Sequence, residues 1–333
     1  MFDNLKAGII CSMVLGAVAL GAIAILAWAL DIEGTDFNDR LIGTLDNDKI
    51  LGLGGHDYID GRLGDDRLLA GGSGNDRVLG GEGDDLICGS DDDGFNSPQP
   101  RCDLYTLGND VLMGGSGNDR VFGSSGGDVL DGGFGDDILV GGEGNDKITG
   151  GQGDDTICGG TDEFDGCDTD TGGNNDVLAG GPGNDRIFGS AGNDRLSGDV
   201  GDDYLVGGLG NDYIDGGRGN DIIDESSDDD GSNILIGGVG NDRITGGCGD
   251  DIIEPGKDLD EVDAGCGDDT VIIRPGDVPS RKNEIIICGD EFDTDRVIFQ
   301  GFRRSIQVNG NLVTDPYTRG TYELIGCEEI VKR

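Results

Sequence analysis

Gly71 to Leu79 reads GGSGNDRVL and Gly80 to Cys88 reads GGEGDDLIC. These two nonapeptides join head to tail and agree at glycines one, two and four, at aspartate six and at an aliphatic eighth residue. The rhythm persists in both directions from this pair. Sixth-position aspartates fall at Asp39, Asp48, Asp57, Asp66, Asp76 and Asp85, then at Asp110, Asp119, Asp128, Asp137, Asp146 and Asp155. They continue at Asp176, Asp185, Asp194, Asp203, Asp212 and Asp221, and end with Asp242, Asp251, Asp260 and Asp269, which makes 22 units. Self-similarity at so short a period marks stacked repeats rather than a layered globular domain.

Each unit has two halves. In the first six residues, glycines permit positive φ and turn the backbone so that carbonyl oxygens converge, and the aspartate adds a carboxylate. The result is a cation site built from oxygen. The eighth residue is aliphatic, as in Leu41, Ile50, Ile59, Leu68, Val78, Ile87, Ile148, Ile187, Leu205 and Ile253, while its neighbours are often polar or charged. Alternation along a short strand points the eighth side chain inward and its neighbours outward. Two units then form one coil, and eleven coils at strand spacing predict a rod roughly 50 Å long.

Composition agrees. The 333 residues hold 68 glycines, 68 acidic residues and 5% aromatics, with a net charge of −45. A chain so acidic and so poor in large apolar groups stays disordered unless a cation neutralises it. Nucleic acid is excluded as a partner because its phosphates would be repelled, whereas hard divalent cations prefer these oxygens. One inward aliphatic per nine residues buries too little area to offset an ordering cost of about 1 to 2 kcal/mol per residue, so metal and folding should be coupled.

The repeat resembles the RTX (repeats-in-toxin) family, whose motif is GGxGxDxUx, over about Gly34 to Ile272. The resemblance implies an all-β, right-handed parallel β-roll with Ca²⁺ held between successive turns, roughly ten to twenty ions in all. It implies as ligands Asp57, Asp66, Asp76, Asp85, Asp110, Asp119, Asp128, Asp137, Asp146 and Asp155. Asp176, Asp185, Asp194, Asp203, Asp212, Asp221, Asp242, Asp251 and Asp269 complete that set. Carbonyls are expected from Gly72, Gly74, Gly81, Gly83, Gly115, Gly117, Gly142, Gly144, Gly181, Gly183, Gly208 and Gly210. Departures from the motif predict weaker or absent sites: Gly34 to Leu51 lacks several glycines, His56 and Gly127 occupy fifth positions, and Pro255 to Asp263 is degenerate apart from Asp260.

Three interruptions, 89–106, 159–171 and 225–236, read as loops within the 34–272 repeat region. Beyond it, residues 273–333 lose the glycine rhythm, carry strand-like runs and nine of the 23 basic residues, and read as a terminal β cap, with a small binding module as the alternative. Residues 1–30 contain an uncharged run from Ala7 to Leu30, long enough to span a bilayer as an apolar helix. An Ala27-Trp28-Ala29 cleavage site makes a secretory signal the alternative to a membrane anchor. Either reading sends the repeats outside the cell. Eight cysteines beyond Cys11 fall into sequential neighbours, Cys88 with Cys102, Cys158 with Cys167, Cys248 with Cys266 and Cys288 with Cys327, and the first two pairs bracket interruptions. Zinc ligation lacks CxxC spacing and has a single histidine.

No catalytic constellation emerges. Gly123 to Gly127 contains GxSxG spacing, but inside the repeat register rather than between a strand and a helix. The expected protein is therefore a calcium-binding structural or adhesive surface protein without enzymatic activity. A filament subunit is the alternative, since Lys6, Ala7 and Gly8 ahead of the apolar run resemble an archaeal pilin-like leader. A non-catalytic module of a secreted hydrolase or toxin is the third reading. Self-association into a filament or surface layer belongs with these expectations.

Overall fold

The structure, a computed structural model, describes residues 29–90, 102, 107–160, 167, 174–225 and 231–274, then 283–288, 295–300, 307–309, 312–314, 321–325, 327 and 329–332. The N-terminal apolar segment lies outside these residues, apart from Ala29 and Leu30. Among the described residues there are β-strands and no helix, so none is long and apolar enough to cross a membrane. A typical strand such as Arg77–Glu82 covers positions seven to nine of one unit and one to three of the next. Its burial alternates, with Val78 and Gly80 enclosed and Arg77 and Glu82 exposed.

The chain divides into two compact units, Met1–Glu143 and Gly144–Arg333. In the first, successive strands alternate between two parallel sheets. One sheet runs Asp31–Thr35, Lys49–Leu53, Leu68–Ala70, Leu86–Cys88, Arg120–Ser125 and Ile138–Glu143. The other runs Arg40–Ile42, Tyr58–Leu63, Arg77–Glu82, Val111–Ser116 and Val129–Phe134. Val129 pairs with Val111, eighteen residues earlier, so two nonapeptides make one coil as expected. This is a parallel β-solenoid.

The second unit repeats the design. Arg186 pairs with Tyr204 and Ile234 with Ile252, again eighteen residues apart. Parallel pairing continues beyond the repeat proper: Asn283–Ile287 pairs with Glu261–Asp263, Arg296–Phe299 with Thr270–Ile273, and Glu329–Lys332 with Arg296–Phe299. Among the described residues of this terminal stretch, antiparallel pairing joins Leu312–Thr314 to Gln307–Asn309 and to Thr321–Ile325. The parallel pairing of the solenoid thus extends to Asn283–Ile287, Arg296–Phe299 and Glu329–Lys332 of the terminal β-rich stretch.

The core is thin. The eighth-position residues Ile59, Val78, Leu112, Leu130, Ile87, Val121 and Leu139, drawn from both sheets, are at most 1% exposed, whereas Leu41 is only half-buried. One expected member is displaced. Lys49 pairs with Leu68 and Ile50 with Leu69, so Leu69 rather than Leu68 takes the inward place. Asp66 and Asp76 are ten residues apart instead of nine, and the extra residue is absorbed at Arg67, whose N–H still donates to the Asp48 carbonyl. A one-residue insertion shifts every following side chain to the other face. Leu68 is buried there instead, in a small outer cluster with Leu51, Ala70 and Cys88 that packs against Leu53, Leu86 and Cys102.

All four expected disulfides form. Their Cα separations are 5.4 Å for Cys88–Cys102 and Cys158–Cys167, 4.5 Å for Cys248–Cys266 and 5.1 Å for Cys288–Cys327, ordinary for such bonds. The first two tie a ninth-position cysteine at a strand end to the interruption that follows. Cys248–Cys266 joins third positions of successive coils, which also share a β-bridge.

Candidate cation-binding turns

The three glycines of the motif do two different things. Second and fourth positions, such as Gly81 and Gly83, adopt φ of 124° and 126°, which L side chains rarely tolerate. Leu53, Arg62, Ser124, Ser190 and Asp199 occupy second positions with positive φ, held there by the stacked neighbours. First positions need space instead. A Cβ on Gly71 would lie 2.6 Å from Asp76 Oδ2 and 2.7 Å from the Gly89 carbonyl oxygen of the next coil. Each first glycine therefore floors the pocket of its own unit's aspartate.

That aspartate is buried. Asp57, Asp66, Asp76, Asp85, Asp119, Asp185, Asp194, Asp203, Asp221, Asp242 and Asp269 are each at most 4% exposed. One carboxylate oxygen is used to stack coils: the Asp57 N–H donates to Asp76 Oδ1 at 2.7 Å, and the Asp185 N–H to Asp203 Oδ1 at 2.8 Å. The other oxygen, Oδ2, is enclosed and accepts no hydrogen bond in these eleven residues. Asp110, Asp128, Asp137, Asp146, Asp155, Asp176, Asp212 and Asp251 stand in the same ladders, equally buried.

Burial raises these carboxyls, chiefly by stripping water from the charged form. Asp85, Asp110, Asp194 and Asp269 are pushed up to about 8, and aspartates one coil away add to the rise. Asp137, Asp203 and Asp242 rise to about 7, and Asp57, Asp66, Asp119, Asp128, Asp185 and Asp221 to about 6. The N–H donated from the preceding coil opposes the shift in each case.

A divalent cation fits such a turn. No cluster of three or more His, Cys, Asp or Glu side chains is poised as a metal cage among the described residues, so backbone oxygen must complete any site. The turns supply it. Carbonyls of Gly74, Gly81, Gly83, Gly115, Gly117 and Gly183 lie where a Cβ at the same position of the next coil would collide with them, so they are directed from coil to coil. Every donor is a hard oxygen, the set that calcium takes six to eight of.

Two features escaped the sequence reading. Fifth positions form a second, outer ladder: Asn193 N–H donates to Asn175 Oδ1 at 2.7 Å, and Asn211 N–H to Asn193 Oδ1 at 3.0 Å. His56 belongs to it, accepting the Asn75 N–H on Nδ1 at 2.9 Å. The recurrence of Asn or Asp at position five was the available signal. Asn233 and Asp295 are also sixth-position residues, buried and bonded by Asp212 N–H and Asp269 N–H. Asp295-Arg296-Val297 repeats the triplet Asp76-Arg77-Val78, while Asn233 was hidden inside the third interruption. Ser124, the centre of the GxSxG spacing, is 2% exposed and donates to Ser90 Oγ at 3.0 Å.

A parallel solenoid whose glycine turns enclose half-satisfied carboxylates defines a class of metal-binding repeat protein. The chain belongs to the family of RTX calcium-binding nonapeptide repeats, whose profile matches residues 33–68, 68–95, 105–139, 131–163, 170–205, 197–224 and 227–262. No curated protein matches it.

Proposed function

We propose that the protein is an extracellular, calcium-wound structural or adhesive surface protein. The observation that carries this reading is the enclosed Oδ2 atom without a hydrogen-bond partner that recurs in Asp57, Asp66, Asp76, Asp85, Asp119, Asp185, Asp194, Asp203, Asp221, Asp242 and Asp269. Leaving one such oxygen buried costs about 1 to 3 kcal/mol, more for a charged group, so the turns favour a cation that coordinates it. The sixth-position aspartates and the second- and fourth-position carbonyls would hold on the order of ten to twenty Ca²⁺ ions. Bound calcium supplies positive charge, and each side chain orients one oxygen toward it while the other stays bonded to the coil below.

Export is supported by four disulfides, which persist in oxidising compartments, and by the apolar run at 7–30 that would carry or anchor the chain. Millimolar-range extracellular calcium suits weak, numerous sites. The test is far-UV circular dichroism of residues 31–333 during calcium titration, with magnesium as control. A cooperative gain of β signal with calcium alone supports the reading, and a full β signal in chelator refutes it.

A further inference from the structure

Two uninterrupted turns of the described solenoid differ from the other uninterrupted ones. Thr35 and Thr44 occupy second positions, and Phe37 and Asp46 occupy fourth positions, where turns such as those of Asp57, Asp66, Asp76 and Asp85 carry residues with positive φ. A β-branched residue strongly resists that conformation, and neither threonine adopts it. The turn folds differently as a result. Thr35 donates its N–H to Asp39 Oδ2 at 2.7 Å and its hydroxyl to the same oxygen at 2.8 Å. Thr44 N–H and hydroxyl donate to Asp48 Oδ2 at 2.5 and 3.1 Å, while Leu30 N–H donates to Asp48 Oδ1 at 2.6 Å. The threonine hydroxyls also accept N–H bonds from Phe37 and Asp46, which closes each turn locally.

We infer that these two turns are closed by threonine in place of calcium and take no ion. The inference rests on the calcium reading of the other turns. In eleven of those, Asp57 and Asp85 among them, Oδ2 accepts no hydrogen bond; in these two, the same oxygen already accepts two. A cation there would have to displace both bonds and would gain no unsatisfied oxygen in exchange. The two turns then form an end unit whose geometry is independent of metal, against which Tyr58–Leu63 and Lys49–Leu53 stack through parallel pairing. A preformed edge of this kind gives calcium-bound coils a template at any calcium level that winds them.

The test measures calcium retained by the full chain after dialysis in saturating calcium, by atomic emission. Asn233 shows that an amide fits the sixth position, so Asp→Asn changes are compatible with the fold. Asp39→Asn and Asp48→Asn are expected to leave the calcium content unchanged, whereas Asp66→Asn and Asp85→Asn each lower it by at least one ion. Loss of an ion in Asp39→Asn or Asp48→Asn overturns the inference. If all four variants keep the full content, the calcium reading of the turns fails instead. Thr44→Val, which removes only the hydroxyl, should keep the calcium content and lower the urea midpoint in saturating calcium; an unchanged midpoint would overturn the closing role of the threonine.

Discussion

First-position glycines are selected for room and not for torsion. Gly71 is absent from the positive-φ residues, yet its Cβ would press on Asp76 Oδ2 and on the Gly89 carbonyl. Gly71→Ala should therefore cost about 1 to 3 kcal/mol, as overpacking does, and lower the urea midpoint in saturating calcium. Ser73→Ala, at an exposed third position, should be nearly neutral; equal effects would refute the steric argument. The buried aspartates make a second residue-scale prediction. Their folded carboxyls titrate above the unfolded value of about 3.9, at about 6 to 8, so the metal-free fold binds more protons than the unfolded chain. That stability is fully present below the unfolded value and is lost as pH rises through 6 to 8. In metal-depleted buffer, β signal should rise on acidification from pH 8 to pH 5, and calcium binding near pH 7 should release protons. An apo protein equally unwound at both pH values would contradict it. Glycine identity was legible in the sequence, but the division into torsional and steric glycines was not, because the second depends on a carbonyl one coil away.

At the scale of strands and turns, the sequence carried the period, the alternation and the disulfide partners, but register only where units keep nine residues. Leu68 went astray because the ten-residue interval from Asp66 to Asp76 shows that a residue is added but not where; pairing of Leu69 with Ile50 places it before Leu68. The resulting outer cluster depends on a covalent clip, since Cys102 packs on Leu51, Leu68, Ala70 and Cys88 and is bonded to the last. Cys102→Ser should leave the calcium-bound far-UV spectrum intact while exposing this apolar patch. Increased binding of a hydrophobic dye in saturating calcium would show it. Dye binding equal to the parent protein would mean that the cluster stays covered without the disulfide. Closing a loop of about fifteen residues is worth about 3 kcal/mol in the chain-entropy account, enough to matter for a patch so small.

For the whole molecule, two causes could keep the metal-free chain unwound, and they respond differently to salt. One is mutual repulsion across a net charge of −45. At 1 M salt the screening length is about 3 Å, so repulsion between coils and between exposed carboxylates would largely vanish. The other is the set of enclosed Oδ2 atoms, such as those of Asp57, Asp85 and Asp203, stripped of water and given no donor. Monovalent salt cannot cure that, because the oxygens are inside the turns and need a coordinating cation or a proton. The second cause should dominate, since burial is the largest cause of the rise in the shifted carboxyls and repulsion from neighbouring aspartates a smaller one. In chelator at pH 8, the radius of gyration should then stay near the roughly 65 Å of an unfolded chain of this length, in 0.1 M and in 1 M potassium chloride alike. Calcium at 0.1 M salt should contract it several-fold. If concentrated potassium chloride alone produced the compact, β-rich form, repulsion would be the controlling term, and the glycine turns would bind calcium without depending on it to fold.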